Sequence, residues 1–245
     1  MEYGIQLYSI RDDMQRDMRG SLQKIAALGY KMVEFAGFFD HSAEDVAAML
    51  KENGLTVSGT HTGLAAITQD FDGAVAYHKA IGNRNIIIPG HDLSTQEKID
   101  EFIALVNEYQ PKLEAHGITL GFHNHSGEFL PNADGSVSYN DITARTKLRL
   151  EIDTFWAYAA GKDPIALMET FKSRLHFIHI KDGLQNGEGF PLGKGTAPVK
   201  AVYEKAAALH IPMVVESETQ NPDGFTEAKI CIDYLRALEN QLNAK

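Results

Sequence analysis

The stretch Leu22-Gln-Lys-Ile-Ala-Ala-Leu-Gly-Tyr-Lys-Met-Val-Glu-Phe35 contains one whole repeat of an architecture. Leu22, Ile25, Ala26 and Leu28 make an apolar stripe at helical spacing, and Gly29 stands where a left-handed residue would end that helix. Tyr30–Phe35 then reads as a short apolar strand with Glu34 near its far end. The same phrase recurs along the rest of the chain. Val46, Ala47, Met49 and Leu50 form a second stripe and Phe102, Leu105, Val106 and Leu113 a third, while Gly54, Gly82 and Gly117 each close a helix shortly before a strand. Eight strands follow from this pattern: Tyr3–Tyr8, Tyr30–Phe35, Leu55–Thr60, Asn85–Pro89, Ile118–His123, Leu148–Asp153, Leu175–Ile180 and Ile211–Glu216, with starts 25 to 36 residues apart. That is the spacing of βα units. Eight such units in 245 residues, with no Pro- or Ser-rich linker, predict an α/β, single-domain (β/α)8 TIM barrel over residues 1–245. An open doubly wound sheet is the runner-up. It is weakened because Gln6-Leu-Tyr-Ser-Ile-Arg11, after the first strand, has no glycine of a dinucleotide-binding turn.

Composition narrows the function. The chain is 44% apolar and 23% charged, the balance of a folded globular protein. Its net charge of −10 argues against a nucleic-acid surface, whose affinity comes from Lys and Arg on phosphates. No apolar run approaches the roughly 18 residues of a membrane span, and Met1-Glu-Tyr-Gly4 lacks the basic start of a secretory signal, so a cytoplasmic location without membrane attachment is expected. A single cysteine, Cys231, leaves nitrogen and oxygen as the donors for any metal site. The sequence leaves self-association into a homo-oligomer open.

In a barrel the C-terminal strand ends converge on one mouth, so the residue types there carry the chemistry. These ends offer Gln6 and Tyr8, Glu34, His61, His91 with Asp92, His123 and His125, Asp153, His179 and Lys181, and Glu216 with Glu218. Five of the ten histidines lie at or just past a strand end. Residues two apart share a face, which groups His123 with His125, His179 with Lys181, and Glu216 with Glu218, and sends His176 outward. Carboxylates and imidazoles crowded into one volume need a partner, and a divalent cation resolves their repulsion. Arg149 and Glu151 share parity with Asp153 and are expected to pair lower in the barrel. The glycine-rich stretch Gly183–Pro198 reads as a flexible loop or a lid over the mouth. Its Gly193-Lys-Gly-Thr196 is similar to the end of a phosphate-binding loop, but the upstream glycine spacing is wrong. Phe155 and Trp156 read equally as an apolar wall for a sugar face and as the start of the sixth helix.

Six segments carry a resemblance to a known family. They are Gly4-Ile-Gln-Leu-Tyr8, Ala27-Leu-Gly-Tyr-Lys-Met-Val-Glu34, His123-Asn-His-Ser-Gly-Glu-Phe129, Glu151-Ile-Asp-Thr-Phe-Trp156, His179-Ile-Lys-Asp182 and Val214-Val-Glu-Ser217. The chain resembles, over nearly its whole length, the xylose-isomerase-like barrels known as sugar phosphate isomerases and epimerases, relatives of tagatose epimerase and inosose dehydratase. The resemblance implies one divalent ion held by Glu, Asp, His and Glu from the fifth to eighth strands, with Asp153, His179 and Glu216 on the last three. The fifth-strand position departs from the pattern, because it is His123 here. Glu128, close by, is preferred as the fourth ligand, with His123 as its rival. Three carboxylates and one imidazole would suit Mn, with Mg, Fe, Co and Zn as alternatives, whereas two imidazoles would move the preference toward Zn or Co.

The activity that the resemblance implies is isomerisation or epimerisation of a keto sugar or sugar derivative through an enediolate. Glu216 and Glu128 would move the proton, with His125 as a further acid or base. Tyr8, Glu34, His61, His123, Trp156 and Lys181 would contact the sugar. Two other readings stand beside it: a dehydratase or lyase on a keto-inositol or keto-glycoside, and a non-catalytic sugar binder or companion subunit. An apurinic endonuclease would want a basic groove and more metal ligands than this sequence supplies.

Overall fold

A computed structural model describes residues 1–244. Eight parallel strands form a closed barrel: β1 (Gly4–Gln6), β2 (Met32–Phe35), β3 (Thr56–His61), β4 (Asn85–Ile88), β5 (Thr119–His123), β6 (Arg149–Asp153), β7 (Leu175–Ile180) and β8 (Met213–Val215). Each pairs with its neighbours in sequence. The ring closes where β1 meets β8, with Gly4 beside Val214 and Ile5 beside Val215. Helices connect consecutive strands, as a parallel ladder requires.

The helices form where the sequence supplies both a start and an apolar face. Met18–Leu28 begins on Asp17, whose carboxylate accepts the Gly20 N–H, and buries Met18, Leu22 and Ile25. It ends on Gly29 at φ 102°, a backbone region that an L side chain avoids. Gly54, Gly82 and Gly117 are left-handed as well. His210 performs the same turn at φ 55° after the helix Val199–Leu209, without glycine to announce it.

Alternation along the strands divides the core. Outward-facing residues such as Ile5, Val33, Phe122, Ile152, Ile178 and Val215 are buried under the helices. Inward-facing positions hold Gln6, Glu34, His123, Glu151, Asp153 and His179, all at most 1% exposed. Burying so many polar groups is costly unless each finds a partner. Room for them comes from small residues. A Cβ at Gly59 would lie 2.6 Å from Ile87 Cδ1 and 2.9 Å from Glu34 Oε1.

Two local expectations are corrected. The first strand stops at Gln6, because its side-chain oxygen accepts the Tyr8 N–H (3.0 Å) and caps a 3-10 turn over Leu7–Ile10. Tyr8 therefore sits on a turn and not on a strand end. The stretch after β7 is not structureless either. Asp182–Gly183 and Gly189–Phe190 pair as a small antiparallel hairpin, and the following loop is tied to the Asp182 carboxylate.

Candidate metal centre

Four side chains from consecutive strands converge at the C-terminal end of the barrel. His123 ends β5, Asp153 ends β6, His179 lies on β7, and Glu216 follows β8. His123 Nε2 and His179 Nδ1 stand 3.1 Å apart, and Glu216 Oε2 is 3.4 Å from His179 Nδ1. Asp153 Oδ2 lies 3.8 Å from His179 Nδ1 and 3.7 Å from His123 Nε2. All four donors fall within 4.8 Å of one another. Ligands about 2.0–2.2 Å from a common ion are separated by roughly 3–3.6 Å, so the set is close to the spacing that a single cation imposes.

The hydrogen bonds around the donors leave the right atoms free. Asp153 Oδ1 accepts the Trp156 N–H (2.8 Å) and starts the helix Thr154–Ala159, while its buried Oδ2 has no partner. Asn124 clips β5 to β6 by bonding the Asp153 main chain in both directions, each at 3.2 Å. His179 Nε2 donates to Glu34 Oε2 (2.7 Å), which also accepts from Gln6 Nε2 (2.7 Å). With Nε2 engaged by Glu34, Nδ1 is the nitrogen turned toward the other donors. The chemistry of the donor set and the orphaned carboxylate oxygen both fit a divalent ion.

Electrostatics agree. Burial, followed by the neighbouring imidazoles of His179 and His61, holds His123 well below the ordinary histidine range, so it is neutral and able to ligate. Burial opposes ionisation of Glu216, but Lys181 and His179 hold its carboxyl well below the usual range. Around His179, burial is overcome by Glu151, Glu216 and Glu34, which raise it well above the ordinary histidine range, so a cation at Nδ1 would take the place of a proton held there.

A second group lies directly beneath. His61 Nε2 is 2.9 Å from Glu151 Oε2 and 3.3 Å from Glu34 Oε2, and His179 Nε2 is 3.3 Å from Glu151. The 2.9 Å contact is a hydrogen bond, and His61, His123, Glu151 and His179 likewise offer donors within 4.8 Å of one another. Burial and the nearby Glu34 push the Glu151 carboxyl up to about 7; Glu34, against its own burial, is brought down to about 2 by His61 and His179. Glu151 does not pair with Arg149, whose guanidinium donates to the Ser173 carbonyl (3.1 Å) at the other end of the barrel.

Above the donors a cleft of about 330 Å³ is lined by Tyr8, Ala36, His61, Pro89, His123, His125, Glu216 and Glu218. Of the residues expected on the sugar, Tyr8, His61 and His123 line it. Glu34 does not: it is completely buried below His179. Lys181 is also buried, with Nζ 3.1 Å from Glu216 Oε2, bonded to Glu218, and 4.7 Å from the Trp156 ring centre. His125 lies on the rim. Glu128, in the 3-10 turn Gly127–Phe129, accepts the His125 N–H (2.9 Å) and stays outside the converging donors, among which His123 takes the β5 position. His91 packs on Phe102, and Asp92 bonds Ser94 and Lys98 at the surface.

Residues 22–239 match the xylose isomerase-like TIM barrel family. The chain belongs to that family. Its fold is shared with a sugar phosphate isomerase/epimerase from Parabacteroides distasonis, at 22% identity over 96% of this chain and 93% of that one, with a TM-score of 0.83. An L-ribulose 3-epimerase superposes at a TM-score of 0.71 and 15% identity, covering 100% of this chain and 98% of that one. A probable 3-DHS dehydratase from Bacillus anthracis does so at 0.75 and 12%, covering 96% and 99%. No curated protein sequence matches the chain. Among the described residues no helix is long and apolar enough to cross a membrane.

Proposed function

We propose that the protein is a divalent-metal-dependent isomerase or epimerase acting on a keto sugar or a sugar derivative. The observation that carries this reading is the convergence of His123, Asp153, His179 and Glu216 at the floor of an open cleft. Two imidazoles with two carboxylates favour Zn or Co over the Mn that three carboxylates would have suited. An ion held by these residues supplies Lewis acidity to a carbonyl and an adjacent hydroxyl.

The chain's own groups handle the proton. Glu216 borders the cleft and can accept the α-proton of a bound sugar: the C–H bond breaks, the proton passes to the carboxylate, and the electron pair moves toward the carbonyl oxygen. A carboxylate with a depressed pKa is a weak base, so the transfer depends on close positioning. His125 borders the cleft from β5, three strands away around the ring, and can return a proton from the other wall. Return to the opposite face of the same carbon inverts it; return to the neighbouring carbon isomerises the sugar. Lys181, 3.1 Å from Glu216, holds that carboxylate in place and stands near any oxygen on which charge develops. The fold shared with a probable dehydratase favours a second reading, in which the same abstraction is followed by loss of a β-substituent.

Proton NMR in D2O with metal-loaded protein and a panel of keto sugars tests the reading. Exchange of an α-proton with formation of an epimer or isomer is the expected result. An unsaturated product supports the dehydratase. No exchange with any member at full metal occupancy refutes proton abstraction from these sugars.

A further inference from the structure

The loop that brings Glu216 and Glu218 to the cleft has almost no backbone support. The Glu216 N–H donates to the Ile180 carbonyl (3.4 Å), but among the described residues none from 217 to 222 makes a backbone–backbone hydrogen bond. Gln220 is held at φ 50°, a left-handed conformation that is costly for a residue with a side chain. A segment without a ladder keeps one shape only where side chains bond it.

Three side chains do so here. Ser9 Oγ accepts the Ser217 N–H (3.1 Å), and Arg11 donates to the Glu218 carbonyl (3.4 Å). The third is Glu227, in the first turns of the final helix, Gly224–Asn243. Its Oε2 accepts the Ser217 hydroxyl (2.7 Å), and its Oε1 accepts the Asn221 N–H (3.0 Å) and the Thr219 hydroxyl. The bonded residues are two apart, the period at which an extended chain presents one side. Glu216 and Glu218 have the other parity, and both line the cleft. Glu227 itself is 0% exposed, and the hydrogen bonds its carboxyl group accepts come from this loop, none of them from Lys or Arg. Burying such a group without a cation is costly, so the three bonds are what hold it in place. The helix start is seated as closely: a Cβ at Gly224 would lie 2.4 Å from the Ser9 carbonyl oxygen.

We propose that Glu227 is a positioning residue, which binds Ser217, Thr219 and Asn221 on one side of the loop and so holds Glu216 and Glu218 toward the cleft on the other. The proposal rests on the reading of Glu216 as ion ligand and proton acceptor given above. Glu227→Leu removes all three bonds. Glu227→Gln keeps them, because the amide oxygen accepts at the Oε1 position and the amide nitrogen donates to Ser217 Oγ. Both variants are compared with the parent in Zn affinity by chelator competition, in the visible spectrum of the Co-loaded protein, and in kcat and KM for α-proton exchange in D2O at full metal occupancy. In Glu227→Leu, Zn affinity should fall roughly tenfold and the Co bands should shift. Misplacement of a reacting group by about 1 Å costs about 100-fold, so kcat should fall about 10- to 100-fold with KM within about threefold. Glu227→Gln should return affinity and kcat to within about threefold of the parent and restore its spectrum. A folded Glu227→Leu protein with the parent's affinity, spectrum and kcat overturns the proposal, and so does a Glu227→Gln protein as impaired as Glu227→Leu. If Glu227→Leu does not fold, the double variant Ser217→Ala, Thr219→Val, which cuts two of the three bonds from the loop side, is judged by the same outcomes. If no sugar reacts, the isomerase reading fails, and Zn affinity and the Co spectrum decide this proposal alone.

Discussion

Replacing His123 by alanine separates the two candidates for the β5 donor. His123 is 1% exposed, and its Nε2 faces His179 Nδ1 at 3.1 Å and Asp153 Oδ2 at 3.7 Å, so its loss removes one of four converging donors. Structural Zn sites of zinc-finger peptides bind with apparent free energies of about 10–16 kcal/mol, which shared evenly over four donors is about 2.5–4 kcal/mol each. Zn affinity should therefore fall by roughly two to three orders of magnitude in His123→Ala. In Glu128→Gln the amide oxygen can still accept the His125 N–H, and affinity should stay within roughly threefold of the parent. The measurement is equilibrium competition for Zn against a chromophoric chelator, with thermal melts confirming that both variants fold. Metal lost in Glu128→Gln and retained in His123→Ala would refute the assignment, and with it the argument from donor spacing.

Three further outcomes are expected. Glu216→Gln keeps an oxygen for the ion but loses the proton acceptor, so metal should be retained while α-proton exchange disappears; exchange at near the parent rate would move the base to His125 or Glu128. In Glu34→Gln an amide oxygen can still accept from His179 and Gln6 but no longer carries the negative charge that makes the His179 imidazole a stronger donor to the ion, and metal affinity measured by the same chelator competition should drop about 10- to 100-fold. His78, under β3, is pushed down to about 4 by burial and accepts from the Asn83 amide (3.1 Å), so the fold holds it neutral. A depressed histidine pKa stabilises the fold fully above about pH 6.5, and the contribution is lost as pH falls toward 4. In urea titrations the stability lost over that window should be smaller in His78→Gln than in the parent by about 3 kcal/mol, the share that His78 contributes; an unchanged loss would refute it.

The barrel was legible because its signals are local. A helical stripe, a glycine such as Gly29 and an apolar strand recur in order; most observed strands are the expected ones with trimmed ends, and the third is shifted by one residue to Thr56–His61. Strand-end position placed His123, His179 and Glu216 at the same mouth, while the grouping of Asp153, His179 and Glu216 around one ion came from the family resemblance, which preferred Glu128 to His123 as the fourth donor. What sequence could not give were bonds made across the barrel or between loops. Glu34 ends a strand, yet it lies below His179 because Gln6, 28 residues earlier, holds it there. Glu151 was assigned to Arg149 by shared parity, but a two-residue step along β6 carries Arg149 to the far end of the barrel and leaves Glu151 beside His61. The proposal of His123 over Glu128 rests on a 3-10 turn in which the Glu128 carboxylate accepts from the backbone of His125. Asp182 gave no sign of its role, since its four partners lie up to 15 residues away.

The bare backbone at Gly59 gives this site a remote tuning point. Nothing reactive sits there, and the residue touches no donor atom. Yet a methyl group at that position would press on Glu34 Oε1, and Glu34 sets the direction in which the His179 ring faces. A change on the third strand would thus be transmitted through two side chains to the seventh. Drift at a chemically silent position could shift which ion the protein prefers while every ligand in the sequence stayed the same.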